Sequence, residues 1–148
     1  MKSIWNTAAQ REVHDRLTTL SADRRAHWGT MSAQQMVCHL SESLRMALGE
    51  LKVASKRIPI RYPPLKQLII YVAPFPRNAP TAPELVITTT PNVWTRDVEN
   101  LQALVDRFAA RGKDGPWPEH PAFGRLSPRA WGVLVYRHMD HHLKQFGT

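Results

Sequence analysis

His138 and His142 stand four positions apart in a stretch that also carries Trp131, Leu134, Val135, Met139, Leu143 and Phe146. At about 100° per residue, these apolar residues share one side of a helix, while Arg137, Asp140 and Lys144 fall on the other. Both histidines land inside the apolar arc. Burying an imidazole costs free energy unless its ring nitrogens find partners. Residues four apart sit one turn above each other, so their rings can share one cation. The alternative is two core histidines bonded to backbone or water. A metal site needs a third ligand, and that ligand must come from another helix. His141 falls at the margin of the stripe, where it is solvated, and Gln145 projects to the same side as the histidine pair.

Four amphipathic helices can position such a site. Asn6 or Thr7 caps the first, over residues 7–20, with Ala9, Val13, Leu17 and Leu20 as its stripe. Residues 21–30 form a connection broken by Ser21, Asp23 and Gly29, with Trp28 packed under it. Ser32 with Gln35 three residues later fits a capping box and opens a second helix to about residue 51, whose stripe is Val37, Leu40, Leu44, Leu48 and Leu51. His39 is off that stripe, beside Ser43 and Met46. It is half-exposed, or turned toward a second interface or a pocket at the rim of the core.

Eight of the twelve prolines then follow, at positions 59, 63, 64, 74, 76, 80, 83 and 91, which exclude a long helix. Leu65, Leu68, Ile69 and Val72 mark one short helix inside this crossover, which we expect to lid one end of the molecule. Residues 84–90 form part of this crossover or, given Val86, Ile87 and three threonines, an extended segment. A third long helix begins near residues 91–92, with Trp94, Val98, Leu101, Val105 and Phe108 on one face, and Gly112 ends it. Residues 113–126 form a loop with apolar anchors. Ser127 followed by Pro128 caps the last helix. The expectation is an all-α chain: an antiparallel four-helix bundle with a long proline-rich crossover between helices 2 and 3, as one domain over residues 1–148.

Composition narrows the function. A single cysteine, Cys38, excludes an internal disulfide and a cysteine-rich zinc site, so any metal here is held by histidine and carboxylate. The formal net charge of +8 permits acidic partners, but the basic residues are scattered and no aromatic-basic nucleic-acid motif occurs, so nucleic acid is not the expected partner. No segment approaches the ~20 apolar residues of a membrane span, and no apolar signal region opens the chain. A cytoplasmic protein without a membrane partner is expected.

Three motifs carry a family resemblance: Met36-Val37-Cys38-His39-Leu40, His120-Pro121-Ala122-Phe123-Gly124-Arg125-Leu126, and the helix from Trp131 to Phe146 with its histidine pair. Together they resemble the DinB-like superfamily, and within it a branch of unknown function. The resemblance implies a four-helix bundle, commonly homodimeric, in which His39, His138 and His142 bind a divalent metal such as zinc, nickel or iron. Relatives include bacillithiol S-transferases and the mycothiol-dependent maleylpyruvate isomerase. A metal-dependent transferase using a low-molecular-weight thiol on a small-molecule substrate, in a detoxifying role, is therefore the implied activity, although no thiol-cofactor signature is recognisable. The alternative is a non-catalytic helical binding module that uses its basic surface. On either reading Glu42, one turn from His39, faces water or orients an imidazole, Cys38 is a small packing residue, and His120 packs its loop or approaches as a fourth ligand.

Overall fold

The computed structural model describes residues 1–77 and 91–148. Among them the chain forms five α-helices and no β-strand: α1 (Thr7–Thr18), α2 (Ala33–Ala47), α3 (Leu65–Tyr71), α4 (Trp94–Arg111) and α5 (Pro128–Gln145), with a 3-10 turn at Pro59–Arg61. The extended segment expected at residues 84–90 lies outside the described residues.

The helix starts follow local chemistry. Asn6 accepts from the backbone N–H groups of Ala8 and Ala9. Ser32 and Gln35 close the expected capping box, and Ser127 accepts from the N–H of Ala130 with Pro128 in the first turn. Each cap satisfies donors that the helix leaves without a partner, worth about 1 kcal/mol. Two helices end sooner than their apolar stripes imply. In α2 the stripe runs on to Leu48 and Leu51, but Gly49 adopts φ +81°, its N–H donates to the carbonyl of Met46, and that of Glu50 donates to the carbonyl of Arg45. This glycine-based stop closes the helix irrespective of the residues beyond it, and Leu48 and Leu51 are left only partly buried. α1 likewise stops at Thr18 rather than at residue 20.

α2 packs along α4, α1 lies against α4 and α5, and α5 also meets α2 and α3. The core between them holds Val13 and Leu17 of α1, Met36, Leu40 and Leu44 of α2, Leu101, Val105 and Phe108 of α4, and Trp131, Met139 and Leu143 of α5. Burial of such side chains contributes roughly 1.5–3 kcal/mol each, more than any cap. α5 is the element around which the others gather, since every residue from 130 to 136 is buried. Its Gly132 lets the N-terminal segment lie close. Ile4 donates its N–H to the Gly132 carbonyl, Trp5 Nε1 donates to the Pro128 carbonyl, and the Trp5 indole stacks on Phe108 with ring centres 5.0 Å apart.

A Cβ at position 132 would lie 2.1 Å from Trp5 Nε1 and 2.5 Å from Ser3 Oγ, so Gly132→Ala must expel the indole. We expect a cost of about 2 kcal/mol and a Tm lower by roughly 5 °C in thermal unfolding. Combining it with Trp5→Ala should cost clearly less than the sum of the two single changes.

Candidate metal centre

α2 and α5 cross so that one imidazole of the first meets two of the second. His39, off the main stripe of α2, is nonetheless buried, because α5 covers the second face on which it sits. His142 is buried and His138 half-buried. The three rings stand at the corners of a nearly regular triangle, with centres 5.0 Å apart for His39 and His138, 4.9 Å for His39 and His142, and 4.8 Å for His138 and His142. One nitrogen from each lies within 4.8 Å of the others, an arrangement compatible with metal binding.

Two features test whether these residues suit a cation. His39 Nε2 and His138 Nε2 are 3.1 Å apart. Two imidazoles bonded to one ion at about 2.0–2.1 Å with tetrahedral angles hold their nitrogens about 3.3 Å apart, so this pair already has the required spacing. Without an ion, one ring must donate its Nε2 proton to the other, and a cation replaces that proton. The second feature is a fixed tautomer. Gln145 Nε2 donates to the Trp28 carbonyl at 2.7 Å, which leaves Gln145 Oε1 as an acceptor, and His142 Nδ1 lies 2.8 Å from it. Nδ1 of His142 therefore carries the proton, and its Nε2 keeps a lone pair. An outer hydrogen bond of this kind orients a metal-binding histidine and raises its basicity.

Electrostatics favour the same state. Burial, followed by the nearby His39, lowers the His142 pKa to about 3 despite the opposing bond to Gln145. Burial, followed by the surrounding imidazoles, holds His138 well below the ordinary histidine range. Both rings are neutral at neutral pH, the form that ligates metals.

The residues around the triad divide between expectation and correction. Gln145 lies on the side expected of it and bonds a triad ring. His141 is half-buried rather than fully solvated, edge-on to Trp28 at 5.7 Å and to His142 at 5.1 Å, and burial lowers its pKa. Cys38 is buried and its thiol is pushed up to about 11 by burial, which fits a packing residue and not a ligand. Glu42 does not face water: it is 2% exposed, and Oε1 accepts from Arg45 Nη1 at 2.9 Å. The covering element is α4, since Cys38, Ser41, Glu42 and Arg45 line a cavity of about 190 Å³ with Asp97 and Asn100. His120 is no fourth ligand. Its Nδ1 accepts from the N–H groups of Ala122 and Phe123, and its ring packs on Trp131.

Residues that the apolar pattern does not mark complete the surroundings. Phe75, from the crossover, has its ring 6.4 Å from His138 and 5.9 Å from His141. Gly29, with φ +79°, lies where a Cβ would stand 2.8 Å from Gln145 Nε2. The available signals were the proline-bounded crossover for Phe75 and an isolated glycine in a connection for Gly29.

Over the described residues, the fold and the site define an all-helical protein with an internal cluster of three imidazoles, of which burial holds His138 and His142 neutral. Residues 5–148 match the family described as "Protein of unknown function (DUF1569)", and the chain belongs to that family. No curated protein and no solved structure matches it.

Two outcomes follow from this geometry. Gln145→Leu removes the acceptor of His142 Nδ1 and should weaken uptake of zinc by about 10–100-fold in competition with a chelator, while the helix content seen by circular dichroism stays unchanged. His120 has its pKa lowered to about 4 by burial, below the ~6.5 of an unfolded histidine, so the unfolded chain binds more protons between these values. The stability contributed by its neutral ring is complete above about pH 6.5 and declines as pH falls toward 4. In metal-free protein His120→Asn, which keeps an acceptor without a titrating ring, should reduce the slope of unfolding free energy against pH over that window.

Proposed function

We propose that this chain is a metal-dependent enzyme of small-molecule chemistry, with one divalent ion held by His39, His138 and His142. The observation that carries this reading is the convergence of three imidazoles from two helices, with the His142 tautomer set by Gln145. Three nitrogen ligands leave at least one coordination position for a substrate or water, as catalytic sites do and closed structural sites do not. Zinc, nickel and iron all suit imidazole. The chemistry supplied by a bound divalent ion is Lewis acidity, which makes a thiol or water a nucleophile at neutral pH. The chain supplies the rest: Gln145 orients the His142 ring, Phe75 stands beside His138, and Trp28 packs edge-on against His141.

The reading extends to the architecture and family expected from the motifs: an antiparallel four-helix bundle of α1, α2, α4 and α5 with the crossover between α2 and α4, within the DinB-like superfamily. It makes the reaction transfer of a low-molecular-weight thiol, or a related detoxifying transfer, carried out by a cytoplasmic homodimer. Among the described residues no helix is long and apolar enough to cross a membrane. The non-catalytic basic binding module has less support, because the basic residues are scattered along the chain and six of the twenty lysines and arginines, Lys2, Arg16, Arg45, Arg61, Arg107 and Lys144, each meet a carboxylate.

Elemental analysis tests the proposal. Purified protein incubated with zinc, nickel or ferrous iron and then desalted should retain about one ion per chain, and the His138→Ala/His142→Ala variant should retain none while keeping its helical spectrum. Wild-type protein that takes up none of these ions at neutral pH would overturn the reading.

A further inference from the structure

We propose that the rim above the triad binds an organic anion, a carboxylate or similarly charged group on a flat apolar body; this rests on the triad being the reaction centre. Phe75 and Trp28 form two aromatic walls, the first beside His138 and His141 and the second edge-on to His141. Arg77, two residues beyond Phe75, places its guanidinium 4.8 Å from the centre of the Trp28 ring.

The charge pattern selects the ligand. Arg77 is exposed, and among the described residues no carboxylate pairs with it, unlike Arg16, Arg45, Arg61 and Arg107. Arg137 lies over Phe75 and donates from its two terminal guanidinium nitrogens to the carbonyls of Ile69, Ile70 and Ala73. Trp28 Nε1 is buried with no acceptor among the described residues. The rim therefore offers the N–H groups and positive charge of Arg77 beside apolar walls. A guanidinium packed on an indole face keeps its N–H edge free for two parallel bonds to a carboxylate. The net charge of +8 adds a general attraction for anions, which raises their rate of encounter.

Isothermal titration of the full chain with sodium benzoate, in metal-free and zinc-loaded form, tests this, with benzamide as the uncharged probe of the same shape. Benzoate should bind both forms, at least about tenfold more tightly than benzamide, and Arg77→Gln should weaken benzoate by about tenfold without changing benzamide or zinc content. Equal binding of the two probes, no binding of benzoate, or an unchanged benzoate affinity in Arg77→Gln would overturn the proposal. An affinity for benzoate that needs zinc and ignores Arg77 would also overturn it, because the carboxylate would then sit on the ion. Zinc content measured on the same samples separates these results from failure of the metal reading, which shows as absence of zinc from the wild-type protein.

Discussion

Imidazoles that face one another inside a protein cannot carry charge together, and the rest of the site depends on that constraint. Two protonated rings with nitrogens 3.1 Å apart would repel by about 5 kcal/mol at an effective dielectric constant near 20. That is comparable with the whole stability of a small domain, roughly 5–15 kcal/mol. The fold avoids the repulsion by desolvating His138 and His142, which favours their neutral forms. Neutral imidazoles each keep one lone pair, and with the His142 proton held on the far side by Gln145 the cluster is rich in acceptors. A cation is the natural complement of such a cluster, whereas an apolar core would gain nothing from it.

The hydrogen bonds around Gln145 extend this constraint into the fold. The Gln145 carbonyl accepts from the His27 N–H, and its side chain joins His142 to the Trp28 carbonyl. The connection between α1 and α2 is thereby pinned across the end of α5. Arg24 adds a bond from its Nε to the Phe146 carbonyl. Gly29 permits the close approach, since its φ of +79° and the nearby Gln145 amide exclude a larger residue. The loop that carries Trp28 to the rim and the residue that orients His142 are therefore held by one set of bonds.

Much of this was legible in the amino-acid sequence because it is local. Caps at Asn6, Ser32 and Ser127, the apolar stripes, and the i, i+4 histidine pair follow from residues within a turn or two of each other. His39 was legible as a candidate through the family resemblance and not through its spacing, because its distance from His138 depends on how α2 and α5 cross. Glu42 was misread for the same reason. A carboxylate off the main stripe of α2 reads as solvated until α4 is laid over it, and the signal that it belongs to a second buried face, the Cys38, Ser41, Glu42 and Arg45 row, is polar and so invisible to an apolar pattern. The end of α2 shows the reverse case: an apolar stripe through Leu51 overstated the helix that Gly49 stops.

The placement of Arg137 joins the site to its cover. It precedes His138 on α5, and its guanidinium binds the carbonyls of Ile69 and Ile70 near the end of α3 and of Ala73 just beyond it. The carbonyls of Ile69 and Ile70 have no further N–H of α3 to bond, so the arginine both satisfies them and, through Ala73, fixes where the crossover leaves α3. Phe75 follows two residues later and lies against the same guanidinium, with ring and cation 5.0 Å apart. The turn of α5 that presents His138 thus also sets the position of the aromatic wall beside it. A shift of that turn would move ligand and wall together, which keeps the spacing between the imidazoles and the rim constant even though the wall comes from a crossover and not from a long helix.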